Sequence, residues 1–224
     1  RSVTAEVWNV AMQAALDASR RPLTARGTAT IDSARVAQFL LRHTILRVDG
    51  DTDSLRARLT TTMDDSTSLR AAVRTSLRRA GTAVLDTLDL RLGSDRWALR
   101  HPVRVDYGRQ MRLDAFRLQS GVQQVAVDGV LHRDGEQSLV ARVDSLRLAP
   151  LGALLGRPRL AGRLDGGMRV AGPAAAPRAE GDVILEVHEA GQAVVAVATR
   201  FVHERGRLDL TAAKEHARLL LALV

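Results

Sequence analysis

The chain has 224 residues, 46% hydrophobic but only 3% aromatic, so a core must be built from Val, Leu and Ala. It contains no cysteine, which excludes disulfides and cysteine-based metal or thiolate chemistry. The formal net charge is +8, and every basic residue except Lys214 is arginine. The sequence begins at Arg1, with no signal-peptide core and no apolar run near the ~18 residues of a membrane span. We therefore expect a processed form or a piece of a longer protein.

The first part of the chain is the least regular. Residues 33–42 have the spacing of a short helix, while 66–80 combine i,i+4 apolar residues with Thr and Ser, which slightly favours a strand. Farther along, apolar and charged residues alternate, a pattern typical of strands with one apolar and one solvated face. The clearest runs are 88–92, 103–107, 125–131, 160–170 and 183–188.

Turn-forming pairs separate these runs and indicate tight reversals between sequential strands. A helical turn is expected at 150–156, and a helix at 211–224, where Thr211 is a suitable N-cap. Many short strands without a βαβ rhythm predict a mainly β, mostly antiparallel sheet with a few short helices. The predicted reversals are Asp49-Gly50, Gly93-Ser94, Asp134-Gly135, Asp165-Gly166 and, more weakly, Arg205-Gly206.

Residues 31–41 resemble 143–153, because each has an Asp-Ser, an Arg between apolar residues and a predicted helical turn. The similarity indicates a loose repeat of 1–110 and 111–224 within one continuous, repetitive β-sheet segment. Chance similarity in a chain rich in Leu, Arg and Ala is the alternative. The one linker-like stretch, 173–178, carries two prolines, which favours an extended surface crossing over a domain boundary.

No catalytic or metal-binding signature accompanies the strands. The six histidines lack His-x-x-x-His spacing, and phosphate-loop, dinucleotide and nucleophile-elbow motifs are absent. Asp49, Asp51 and Asp53 begin like a calcium loop, but Ser54 and Thr60 stand where that loop needs Gly and Glu. Scarce aromatic residues argue against nucleic-acid binding despite the positive charge. We expect no enzyme activity, cofactor or bound metal.

One segment goes beyond a generic β pattern. Residues 146–177 run from a strand through a Leu-rich turn into an apolar-x-Gly-x-apolar-x-Gly stretch, followed by apolar-x-Gly and a proline. The sequence over about 85–187 thereby resembles the TamB-type translocation and assembly module proteins of the AsmA-like superfamily. The positions that carry the resemblance are Leu160, Gly162, Leu164, Gly166, Val170, Gly172 and Pro177.

The resemblance implies an elongated, curled, groove-like β-sheet with an apolar concave face. It also implies a periplasmic segment of an inner-membrane-anchored bacterial protein that transports phospholipid between the two membranes or assists outer-membrane protein assembly. Assembly proteins would contact other parts of the parent chain, and phospholipid acyl chains would contact the groove. The expected lining residues are Leu88, Leu90, Leu92, Val103, Val105, Leu113, Val125, Val127, Leu164, Met168 and Val170.

The same apolar residues suit a closed β-sandwich or solenoid core equally well. A β-scaffold or adhesion-type module that binds protein partners through strand edges, and carries no lipid, is the alternative function. The two functional hypotheses differ in whether the apolar face stays accessible and takes up phospholipid.

Overall fold

The computed structural model describes residues 5–17, 19, 24–36, 39–77, 81–154, 160–189, 192–204 and 207–212. The chain divides into two compact units, Arg1–Tyr107 and Gly108–Val224. Both are built of antiparallel strands that follow one another in sequence order, with one short helix among the described residues. The predicted mainly β class, with sequential antiparallel strands and few helical residues, is confirmed.

In the first unit, strands β1 to β7 pair in sequence order. One edge of β6 carries two short strands end to end, because β7 pairs with residues 89–92 and β8 with residues 82–85. The strands are β1 (Ala5–Asp17), β2 (Thr24–Val36), β3 (Phe39–Asp51), β4 (Ser54–Asp64), β5 (Thr67–Ser76), β6 (Thr82–Leu92), β7 (Asp95–Leu99) and β8 (Val103–Asp106).

In the second unit, the strands again pair in sequence order, and the helix α1 lies against β12. The backbone N–H of Arg147 donates to the Gln123 side-chain oxygen at 2.8 Å, which ties the start of α1 to the start of β10. The elements are β9 (Gln110–Ser120), β10 (Gln123–His132), β11 (Glu136–Arg147), α1 (Leu148–Leu154), β12 (Ala161–Pro173), β13 (Arg178–Glu189), β14 (Gln192–Glu204) and β15 (Arg207–Ala212).

Side-chain exposure alternates along much of β4, along β7 and along the second half of β6, because successive side chains point to opposite faces. On β6, Leu90 is half-buried and Leu92 buried, whereas Asp89 and Arg91 are exposed. We call the side that carries Leu90 in the first unit, and Val127 in the second, the apolar face of that unit. The opposite side is the charged face.

The buried core is small. In the first unit it includes Trp97 and Val103, which are 4% and 1% exposed. Trp97 pairs with Leu90 of β6, and Val103 pairs with Leu85 of β6. Since nearly half the chain is hydrophobic, most of the described apolar side chains remain partly accessible rather than enclosed. The buried hydrophobic residues of the described part are Ala34, Leu92, Trp97, Val103, Ala126 and Leu148.

The helix predicted at 33–42 is wrong. Its described residues belong to the end of β2 and the start of β3, where Ser33 pairs with Arg42; residues 37–38 lie outside the described residues. Pairing along a 13-residue strand outweighs weak helical spacing, because a strand gains ladder hydrogen bonds with its neighbours. The similar segment 143–153 ends in α1, so the structures of the two segments differ.

The reversal expected at Asp49-Gly50 lies three residues later, at 52–53. Gly50 pairs with both Ala25 and a β4 residue inside the sheet. The Asp51 carboxylate accepts the backbone N–H of Asp53 at 2.8 Å, so this carboxylate stabilises the turn that follows the strand.

Of the other predicted turns, some are confirmed and one is wrong. Turns form at Gly93-Ser94 and Asp134-Gly135, as predicted, whereas Asp165-Gly166 lies inside β12 and makes no reversal. Arg205-Gly206 lies outside the described residues. The proline-rich stretch 173–178 is a hairpin loop between β12 and β13, not an extended crossing, because the chain reverses there.

The remaining secondary-structure predictions concern three segments. The preference for a strand at 66–80 is confirmed by β5 (Thr67–Ser76), with 78–80 outside the described residues. The helical turn at 150–156 is confirmed by α1 over its described residues. The helix predicted at 211–224 is wrong at its start, because Thr211 and Ala212 are the last two residues of β15 and cap no helix there. Residues 213–224 lie outside the described residues.

Candidate functional site

The expected lining residues of the first unit share its apolar face. Leu90 on β6 pairs with Leu69 on β5 and with Trp97 on β7. Leu92 and Val103 are only 6% and 1% exposed, so protein atoms cover these two side chains. They are parts of the unit's core and are not accessible to a ligand in this conformation.

Two further lining residues of the first unit are half-buried. Leu88 pairs with Ala71 across β5 and β6, and Val105 pairs with Ala83 across β6 and β8. The small alanine neighbours leave part of each larger side chain accessible. The first unit therefore offers a few partly exposed apolar residues beside a covered core.

The second unit brings its expected lining residues onto one face. Val127 on β10 pairs with Phe116 on β9 and Ala141 on β11, and Ala141 pairs in turn with Met168 on β12. One residue pair along β10, Val125 lies opposite Leu118 and Val143. Cross-strand partners have side chains on the same face, so these residues form a continuous apolar surface.

The apolar face of the second unit extends from β10 onto β9 on one side and onto β11, β12 and β13 on the other. Every expected lining residue of the second unit is half-buried, and none is fully covered. Leu164 lies opposite Leu146 and Leu185, Val170 opposite Leu139 and Ala179, and Leu113 opposite Gly129.

Two β-bulges of the same design set the register of this surface. On β9, an extra residue near Ala115 (φ 55°) opposes Asp128 of β10, whose carboxylate accepts the Ala115 N–H at 2.5 Å. On β11, an extra residue near Ser145 (φ 57°) opposes Asp165 of β12, whose carboxylate accepts the Ser145 N–H at 2.7 Å. Each carboxylate thus accepts a hydrogen bond from a backbone N–H that would donate to a backbone carbonyl in a regular ladder.

Each of these two carboxylates forms an ion pair with an arginine. Arg117 lies 2.6 Å from Asp128, and Arg163 donates two hydrogen bonds to Asp165, at 2.6 and 3.1 Å. The Arg163 guanidinium lowers the pKa of Asp165; burial opposes this effect, and the Ser145 N–H adds to it. Asp165 is therefore ionised at neutral pH and holds the bulge as a charged acceptor.

The charged face of the second unit contains a concavity of about 700 Å³. Arg142, Arg169 and Arg200 line it together with acidic residues of β11, β12 and β13. The Arg142 guanidinium donates a hydrogen bond to the Asp144 carboxylate at 2.9 Å, and this contact raises the pKa of Arg142. Basic and acidic side chains alternate here, so the surface is close to charge balance.

The charged face of the first unit is less balanced. A cross-strand row runs Arg26, Asp49, Arg56, Arg74, Val84 and Arg104, from β2 to β8. In the next row Arg47 pairs directly with Arg58. Concavities of about 670 and 350 Å³ lie along these rows. We call Arg26, Arg47, Arg56, Arg58, Arg74 and Arg104 the arginine face.

Reasoning from the sequence missed the arginine face and the bulges. The arginines come from five strands, and only the pairing register places them side by side. The bulges had a detectable signal, since apolar-Asp-small-apolar-Arg-apolar occurs at 113–118 and at 143–148. That signal alone is ambiguous, because Ile31 begins the same pattern in β2, where the pairing with β1 keeps its register.

Among the described residues, no group of three or more His, Asp and Glu side chains is placed to hold a metal ion. No described helix has the length and hydropathy needed to cross a membrane. Comparisons with protein-family models, with curated proteins and with solved structures found no match to this chain.

Proposed function

We propose that the apolar face of the second unit takes up phospholipid acyl chains. The supporting observation is the continuous set of half-buried apolar partners around Val127, Ala141 and Met168. Each methylene that leaves water for such a surface gains about 0.8 kcal/mol without any specific hydrogen bond. A chain of many methylenes could therefore bind to side chains that offer no polar contact.

The wider role is part of the same proposal. The strand-and-glycine pattern of residues 160–177, shared with TamB-type proteins, supports a periplasmic segment of an inner-membrane-anchored envelope protein. Such a segment would transport phospholipid between the inner and outer membranes, or assist outer-membrane protein assembly through other parts of the parent chain. We propose no catalytic role.

A strand-edge scaffold is the second candidate, and one observation favours it. β1 is an end strand of the first unit, and it is 13 residues long. Val10, Met12 and Leu16 on this strand are 53%, 78% and 70% exposed. A long edge strand with exposed apolar side chains is a surface on which another strand can add.

The test uses one pair of variants on neighbouring strands. Val127→Asp places a carboxylate on the apolar face, and Val140→Asp makes the same change on the charged face of β11, where the side chain is 43% exposed. The protein is purified without detergent, and bound phospholipid is measured by native mass spectrometry and lipid extraction. Far-UV circular dichroism checks that both variants keep their β structure.

We expect wild type and Val140→Asp to carry phospholipid and Val127→Asp to lose it. A charge in contact with an acyl chain loses hydration without a partner, which costs several kcal/mol. A folded wild-type protein that carries no phospholipid, and binds none when it is added, would contradict the proposal and favour the scaffold. Leu90 is a poor test position, because it packs beside the covered Trp97.

A further inference from the structure

The arginine face of the first unit has six arginines, whereas three carboxylates, those of Asp49, Asp51 and Asp53, line the same two concavities. Asp49 lies 3.5 Å from Arg58, and Asp86 lies 3.0 Å from Arg74. Arg104 is paired in the same way, with Asp106 at 3.0 Å. The ion pairs seen for the described residues of this face include none with Arg26, Arg47 or Arg56.

The register makes this excess charge unfavourable for the isolated sheet. Arg47 lies directly opposite Arg58, and Arg56 lies between Asp49 on one side and Arg74 on the other. Like charges in directly opposed positions repel and destabilise a strand pair. Side-chain exposure limits the cost, since solvent screens the repulsion. An anion seated between such arginines would replace the repulsion with attraction.

The shape of this surface suits small anionic groups. The concavity of about 350 Å³ is lined by Arg26, Arg47 and Arg58, and the larger one by Arg26, Arg56, Arg74 and Arg104. A guanidinium binds phosphate oxygens through two parallel N–H donors, so rows of arginines match rows of phosphates. None of the described residues that line these two concavities is aromatic, so none of them would stack on nucleic-acid bases.

We propose that the arginine face docks the first unit onto an anionic phospholipid bilayer, with lipid phosphate groups seated among its guanidiniums. Basic side chains near an anionic bilayer surface each contribute about 1 kcal/mol of attraction. The arginine face belongs to the first unit, whereas uptake of acyl chains is proposed for the second unit, so this inference goes beyond that proposal and stands without it.

The test compares two double variants with the same net charge. Arg47→Gln/Arg56→Gln removes two of the arginines on this face for which the described residues show no ion pair. Arg112→Gln/Arg133→Gln removes two exposed arginines of the second unit that line neither concavity. Binding is measured by flotation with vesicles of pure phosphatidylcholine, and with vesicles of phosphatidylglycerol mixed equally with phosphatidylcholine. Pyrophosphate and single-stranded DNA are tested as competitors.

We expect wild type to bind the phosphatidylglycerol vesicles, and Arg47→Gln/Arg56→Gln to bind them about 30-fold more weakly. The second-unit variant should bind within a few-fold of wild type, and binding should weaken as salt is raised. Thermal unfolding should show that Arg47→Gln/Arg56→Gln is folded, because the change relieves repulsion.

Three results would overturn the proposal. One is no preference of wild type for phosphatidylglycerol over phosphatidylcholine vesicles. Another is equal loss of binding in both double variants, which would indicate net charge rather than this surface. The third is tight binding of pyrophosphate or DNA without vesicle binding, which would assign the arginines to another phosphate source. None of these results depends on the Val127→Asp experiment, so the two proposals fail separately.

Discussion

Gly129 is the position where the structure makes its sharpest prediction about stability. It lies on β10 opposite Leu139, with a φ of +141° that L side chains rarely adopt. An added Cβ would overlap the Ser138 carbonyl oxygen and lie 2.6 Å from the Leu139 Cα. Both are backbone atoms of β11, so no side-chain rotation can relieve the overlap. Gly129→Ala must therefore open the β10–β11 ladder.

Gly129→Ala should lower the free energy of unfolding by about 3–5 kcal/mol, because it strains the backbone and breaks roughly two ladder hydrogen bonds. Gly121 gives a matched control in the preceding hairpin turn. Its φ is +57°, and an added Cβ would meet nothing within 4 Å. Gly121→Ala should cost only the left-handed penalty of about 1–2 kcal/mol.

The assay is urea unfolding followed by far-UV circular dichroism. Trp8 and Trp97, the two tryptophans of the chain, lie in the first unit, so their fluorescence reports on that unit separately. The reasoning is refuted if the two alanine variants lose the same free energy of unfolding, because then the close approach of β11 would have no consequence.

Two further predictions concern polar groups inside the sheet. Thr61→Val should lower the free energy of unfolding by roughly 1–3 kcal/mol, because it leaves the Thr44 hydroxyl, 2.7 Å away in the wild type, buried without its partner. Thr44→Val/Thr61→Val should cost less than the sum of the single changes, as a double-mutant cycle in urea would measure. Asp165 has a lowered pKa, so its contribution to stability is full above its unfolded value of 3.8 and is lost as the pH falls through its folded value. Asp165→Asn should reduce the fall in the free energy of unfolding as the pH is lowered. Urea unfolding at a series of acidic pH values measures this fall, and an unchanged pH dependence would contradict the prediction.

The alternation of side chains was enough to predict the strands, because a sheet with two different faces must repeat every two residues. The pattern at Leu88, Leu90 and Leu92 correctly placed three side chains on one face. The helix at 33–42 was wrong because its spacing is a local signal, whereas the strand there is set by pairing with β1 and β3. Burial also depends on neighbours, so nothing in the sequence separated the covered Val103 from the accessible Val127.

Asp165-Gly166 shows why local motifs mislead. Asp-Gly favours a turn, but here the aspartate holds a bulge in the neighbouring strand. The glycine lies where an added Cβ would be 2.5 Å from the Asp182 carbonyl oxygen of β13. Asp128-Gly129 repeats the arrangement beside β9. The same dipeptide therefore provides a carboxylate for one neighbour and close approach for the other, which a single sequence cannot reveal.

These bulges also connect the fold to the apolar surface that is proposed to bind acyl chains. A slip of one residue in strand pairing would move every apolar side chain to the opposite face. Each bulge adds one residue to a strand, and an aspartate on the next strand accepts the extra amide, so the shift is confined to one defined place. Beyond the bulge at Ser145, Leu146 still pairs with Leu164 on the apolar face, while Arg147 pairs with Arg163 on the other side. The separation of the apolar face of the second unit from its charged face thus depends on Asp128 and Asp165.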